Sequence, residues 1–435
     1  MVPFDSGGSY ETPQTAIATT LALGNTIDAF EITPILERAV ELFFAHLYPT
    51  YPLISSDVVL AWLSNPASLS RSEQVLIWSI TAACLVMVDD WPPLSIEQRA
   101  VLARQFIRKI RLLRLEWDYL EDASYDDAIT SLFIANTFFE LKCRNSSWSF
   151  VREAITLANI AGREKDFSTI NIQEQVRRSR AYTLFYITER AAALHDSFPV
   201  SIFNPPALSS EVLPGEDPTI IAGLTALHSL FCLLDVKFVK LWNDQTQLSL
   251  SNNSYGDLLL LQSHLRELQI ERAVLTDIQR ADVLITQQWL RLIFWQAALR
   301  LGYISTIADD CAFTYDYPID IAIALCDVVK SLPPNAVQVH GLGIFEKQFD
   351  VAYSLMDTLA LSGTTQPEHH ECLRYLLLSL SASPSSRQIY VRTLEKKMGA
   401  SQKYRNLSGV QLLRDDATSR RNSRRQSVAA TAIRQ

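Results

Sequence analysis

RRSRAYTLFYITER, Arg177 to Arg190, sets three arginines ahead of Tyr182, Phe185 and Tyr186 and closes on the pair Glu189-Arg190. Read at helical spacing, Leu184, Ile187 and Ala191 make one apolar row, and Tyr182, Phe185 and Tyr186 widen it. Arg177, Arg178 and Arg180 stand at the start of that helix, where the backbone dipole disfavours cations, so partners from elsewhere in the fold are expected to hold them. Tyr186 and Arg190 are four apart and placed to stack. An RNA-reading surface would need a sheet platform with aromatics flanked by glycine, and none is present. The stretch reads as one packed helix of a larger scaffold.

The same period recurs on both sides. PILERAVELFFAHLYP carries Ile35, Val40, Leu42, Phe43 and Leu47 at helical steps, stopped by Pro49, and Ser56-Asp57 opens a second helix. Further helices are expected at 72–88, 95–118, 125–142, 147–161 and 174–195. After an irregular Pro-rich connection near 197–216 they resume at 218–243, 256–272, 280–305, 317–331, 344–361, 367–381 and 386–397. No alternating strand pattern and no fixed-period repeat interrupts them. Glycine is scarce, 13 in 435 residues, which disfavours glycine-loop α/β folds. The chain reads as all-α, a large multi-helix bundle over 29–398, with a flexible linker at 1–28 and a disordered basic tail at 399–435.

Charge separates the tail from the body. Residues 401–435 carry eight basic and two acidic side chains, so the tail is +6 and the rest is −14 within a net charge of −8. An acidic body repels phosphate backbones, so direct DNA binding is not expected of this chain alone. The basic segment ARQFIRKIRLLRLEW reads as a helix with Arg104, Arg108, Lys109, Arg111 and Arg114 in solvent and Ile107, Ile110, Leu113 and Trp117 inward. The six cysteines are dispersed, as buried thiols of a reducing compartment would be. No secretion signal opens the chain, and the longest apolar run, Val75 to Val88, is too short for a membrane span.

Catalysis has no visible centre. Asp89-Asp90 and Asp309-Asp310 invite comparison with the magnesium-binding aspartates of terpene cyclases, but neither has a third aspartate one turn on. Asn243-x-x-Thr246 begins a companion metal motif, and Leu250 stands where it needs a glutamate. His369-His370-Glu371-Cys372 is the one dense ligand cluster, yet neighbours on a helix diverge by about 100°. It reads as a polar helix start. Gly341-Leu342-Gly343 lacks the third glycine of a dinucleotide fingerprint and reads as a loop. No cofactor and no metal site is expected, and the chain reads as no enzyme; an all-α small-molecule enzyme of terpene-cyclase type is the alternative.

LANIAGREKD followed by RRSRAYTLFYITERAAALHDSFPVSI resembles the regulatory middle region of fungal binuclear-zinc-cluster transcription factors. Arg177, Arg178, Arg180, Tyr182, Phe185, Glu189, Arg190, Pro199 and Ile202 occupy the places of that family's arginine–aromatic helix and following loop. FFAHLYPTYPLISSDVV resembles its opening helix and Tyr-Pro turn. ADVLITQQWLRLIFWQAAL, with Trp289, is similar to a later helix in the subgroup of starch- and maltose-utilisation activators and secondary-metabolite cluster regulators. The family usually has Gly before the loop proline, where this chain has Asp196-Ser197-Phe198.

The resemblance implies a helical regulatory domain in the nucleus. It acts through contacts with other transcription regulators or homologous zinc cluster factors, as activator, repressor or inhibitor, with a small-molecule effector as a further partner and no membrane. The family's six-cysteine zinc module is not in these residues, so the chain is expected to be the regulatory domain without it. In the tail, Ser423 and Ser427 each follow Arg-Arg-x and are candidate phosphorylation sites, and Arg420, Arg421, Arg424 and Arg425 form a candidate nuclear-import signal.

Overall fold

A computed structural model describes residues 29–163, 170–213, 215–243, 254–267, 274–362 and 366–400. Among them every regular element is helical and none is a strand. The expected linker at 1–28 lies outside the described residues, as does the tail from 401 on, with Ser423, Ser427, Arg420, Arg421, Arg424 and Arg425.

The chain divides into two compact units, one formed by 1–287 with 332–344 and the other by 288–331 with 345–435. In the first unit α1 (Ala29–Leu42) runs through a π turn into a Tyr-Pro segment, and α2 (Ser56–Ser64) follows. Then come α3 (Arg71–Met87), α4 (Ile96–Leu113), α5 (Tyr125–Glu140), α6 (Arg144–Ala161) and α7 (Ile172–Asp196). Beyond the Pro-rich connection lie α8 (Pro218–Cys232), α9 (Val236–Asn243), α10 (Ser254–Glu267) and α11 (Asp277–Arg300), whose second half belongs to the other unit.

α3 is apolar all round and buried on nearly every face, as the central helix of a bundle must be. It packs on α1, α4 and α5; α6 packs on α5, and α7 on α6, α8 and α9. Capping boxes start three of these helices, Ser70 with Glu73, Ser95 with Gln98 and Ser124 with Asp127, each satisfying two otherwise orphaned N–H groups.

In the second unit α12 (Tyr317–Lys330) packs on α15 (Pro367–Ser381). Between them in sequence come α13 (Pro334–Gln338), part of the first unit, and α14 (Gly341–Ser362), which continues into the second. Here the buried Trp289 indole donates to Asp350 at 2.9 Å, and Lys347 stands over its ring at 5.8 Å. Past α15, a π turn at Arg387–Val391 leads into α16 (Arg392–Ala400).

Three sequence expectations change. The helix expected over 218–243 is two, because the Asp235 carboxylate accepts from the Phe238 N–H at 2.7 Å and starts α9 afresh. Arg114, expected in solvent, is buried: its guanidinium donates to Glu153 at 2.7 Å and to the Asp127 carbonyl at 2.9 Å, and α4 tightens into a 3-10 turn there. Gly341-Leu342-Gly343, expected as a loop, opens α14, and Gly341 has φ 63°. Glu140 accepts from the Leu342 N–H at 2.8 Å and lies where a Gly341 side chain would go. A carboxylate of the protein thus occupies the anion-favouring helix end, the place a phosphate would take.

Ser197 ends α7 in the left-handed region, φ 57° and ψ 30°. A side chain there is strained by about 1 kcal/mol, which glycine avoids. Ser197→Gly is therefore expected to raise stability by about 1 kcal/mol, read as a higher urea midpoint at unchanged slope; a lower midpoint would contradict the strain.

Candidate functional site

α7 begins with Asn171 capping the Glu174 N–H at 2.8 Å, and the Glu174 carboxylate turns back to Arg178 at 2.7 Å. The arginines then diverge to different walls. Arg177 pairs with Asp126 on α5 and donates to the Leu53 carbonyl at 2.8 Å. Arg178 lies over the Tyr125 ring at 4.6 Å. Arg180, fully buried, holds Glu216 with two parallel bonds of 2.7 Å and reaches the Pro52 and Glu211 carbonyls. A flat guanidinium matches a carboxylate in this way, and lysine would not.

Glu216 also accepts from the Tyr48 hydroxyl at 2.8 Å and the Leu213 N–H at 3.2 Å. Burial acts to raise its pKa, but the bonds from Arg180 and Tyr48 outweigh it and hold the carboxyl below its ordinary value. The Tyr-Pro turn and the arginine helix, two of the stretches that carried the family resemblance, are thereby fastened together. The Gln279 amide, just ahead of the third stretch, donates to Thr219 and Ile220 carbonyls at 2.9 and 3.1 Å and reaches Pro49 at 3.5 Å.

Glu189 and Arg190 govern the other end. Both are fully buried. The Glu189 carboxylate accepts from the Ser201 N–H at 2.8 Å, the Ser201 hydroxyl at 2.6 Å, the Ile202 N–H at 3.0 Å and Arg152 at 2.8 Å. Arg190 adds a longer contact to it of 3.4 Å. Arg190 also donates to the Leu234 carbonyl at 3.0 Å and the Phe203 carbonyl at 3.5 Å, with its cation 4.2 Å from the Tyr186 ring centre. Burial pushes the Tyr186 phenol up to about 12, and its hydroxyl reaches the Phe231 carbonyl at 3.3 Å. Tyr182 bonds Asn159 at 2.9 Å, and Phe185 is buried. Phe198 stacks on Trp148 at 4.4 Å, so Pro199 leaves the helix on a fixed course.

This network fixes the wall of a cleft. Residues 197–203, α9 and α10 border a volume of about 1170 Å³ beside the Glu189-Arg190 pair. Sequence reasoning found the arginines and missed their acceptor Glu216, 36 residues on from Arg180 in an irregular loop, where nothing in the local pattern points to it. It also missed the cleft, which exists only once α8 and α9 part at Asp235.

Three of the aspartates weighed for catalysis have structural partners. Asp89 pairs with Arg99 at 2.8 Å and Asp90 with Arg38 at 2.7 Å, while Asp310 caps the turn at Cys311–Phe313. Thr246 and Leu250 lie outside the described residues. No group of three metal-ligating side chains gathers among the described residues. Of the six cysteines expected as buried thiols, Cys84, Cys326 and Cys372 are buried, Cys143 and Cys232 are half-buried, and Cys311 is exposed, so the expectation holds for three of them. No single described helix is long and apolar enough to cross a membrane, and α8 with α9, which pass together by composition, are bent by 59°.

The chain is 25% identical over 266 residues to the probable sucrose utilization protein of Candida albicans, covering 59% of this chain and 51% of that protein. A maltose fermentation regulatory protein of Saccharomyces cerevisiae is 22% identical over 330 residues, 74% of this chain and 67% of its own. A respiratory transcription factor of the same yeast is 19% identical over 337 residues, 75% and 69% of the two chains. Its homologues are fungal transcription regulators. The chain spans about half the length of the Candida regulator and about two thirds of the maltose regulator. The expectation of a fungal transcription-factor middle region agrees with these regulators, which cover about 60–75% of this chain. No family model and no solved structure matches it.

Proposed function

We propose that this chain is the regulatory domain of a fungal transcription regulator, working through protein contacts at genes of sugar utilisation and carrying out no catalysis of its own. The observation that carries the reading is the likeness to a probable sucrose utilization protein and to a maltose fermentation regulatory protein over 59% and 74% of the chain. The structure supports a scaffold role for the central helix: Arg180 and Glu189 hold separate elements together. The site of action is the nucleus, reached through Arg420, Arg421, Arg424 and Arg425 and modulated at Ser423 and Ser427. Its partners are zinc cluster factors of the same family, with which it pairs.

The test joins the chain to a foreign DNA-binding domain ahead of a reporter and compares growth on glucose, maltose and sucrose. Transcripts in a deletion strain are measured in parallel. The expected result is a reporter level that changes with carbon source and a matching change in transcripts of sugar transporters and hydrolases. A reporter indifferent to all three sugars, with unchanged transcripts on deletion, would overturn the reading.

A further inference from the structure

The cleft beside the Glu189-Arg190 pair has the chemistry of a binding site. Its volume, about 1170 Å³, is ample for a small molecule. Buried apolar side chains, Phe238, Val239 and Leu258, form its floor. Around the rim Asp235 and Asp257 stand against Lys237 and Lys240, so the charges balance and no net field selects a phosphate or a polycation. Asn243 lines the cleft and donates one amide N–H to the Phe198 carbonyl at 3.1 Å. His264 adds a second hydrogen-bonding group.

At the mouth, Phe203 is 62% exposed. The backbone before it is gripped at Ser201 and Ile202 by Glu189, and its own carbonyl is held by Arg190. Arg190 simultaneously holds the Leu234 carbonyl at the start of the opposite wall. One buried pair thus holds main chain on both sides of the opening, and Phe203 lines it.

We propose that this cleft binds an uncharged, hydroxyl-bearing small molecule with one apolar face, a sugar ring or a hydroxylated aromatic, and that the Glu189-Arg190 pair serves to position its walls. The ligand's apolar face lies on Phe203 and the floor, and its hydroxyls meet Asn243 and His264. The inference rests on the regulatory reading above, in which such a ligand is the effector.

The purified full chain is titrated calorimetrically with maltose and sucrose in one arm and resorcinol in another, with glucose 6-phosphate as the anionic comparison. Phe203→Ala and Leu260→Asp, at positions 62% and 55% exposed on the cleft, leave the packed core untouched. The expected result is saturable binding of a neutral compound, from whichever arm, weakened at least about tenfold by each variant and absent for glucose 6-phosphate. Failure of every neutral compound to bind, equal binding to both variants, or equal binding of the phosphate ester overturns the proposal. A carbon-source response that persists in the Phe203→Ala and Leu260→Asp reporter fusions removes the cleft and leaves regulation standing. A wild-type fusion that never responds removes regulation, and calorimetry still decides the cleft.

Discussion

Arg180→Met is expected to destabilise the first unit by about 3–5 kcal/mol, because it strands the Glu216 carboxylate in a buried position. The pair is 0% and 3% exposed, so little solvent screens it. The companion expectation separates loss of a partner from loss of the interaction. Arg180→Met combined with Glu216→Leu removes both charges and is expected to recover part of that loss. Recovery stays incomplete, since the Tyr48 hydroxyl and Leu213 N–H also lose their acceptor. Urea unfolding of the two single variants and the double variant measures the coupling, and strictly additive losses would contradict it.

Acid supplies an independent check. The folded-state pKa of Glu216 lies below its unfolded value, so its contribution is full above the unfolded pKa near about 4.3 and is lost as pH falls through the folded one. Glu216→Gln is expected to flatten stability against pH in that acid window. An unaltered slope would show the carboxylate unlinked to folding.

Glu189→Ala is expected to cost about 3–5 kcal/mol as well, by leaving the buried Arg190 cation without its acid and three donors of Ser201 and Ile202 without an acceptor. Its signature is local. Hydrogen exchange at the Ser201 and Ile202 amides should rise first, because their protection depends on one carboxylate. Glu189→Gln keeps an oxygen for one of the amides but turns an NH2 toward the others, so partial rescue is expected. A loss under about 1 kcal/mol would place the pair with exposed ion pairs.

The all-α architecture was legible because its cause is local: apolar spacing, capping serines and prolines lie within a few residues of what they control. Sequence reasoning starts α7 two residues late, at 174, because it misses the Asn171 cap that begins the helix at Ile172. That the arginines of 177–180 need distant partners was also legible, from their place against the dipole. Which partners was not, for Glu216 and the Pro52 carbonyl come from loops whose path depends on tertiary packing. Arg114 shows the same limit from the other side, since its surface-like pattern gives no sign that Glu153 and Asp127 will draw it inward.

The grip of Glu189 on the loop is a grip on main-chain N–H groups, which every residue but proline supplies. The side chains at Val200 and Phe203 take no part in it. Substitution at those two places can therefore reshape the border of the cleft while the frame that Glu189 holds stays intact, so this border is free to vary without re-evolving the fold.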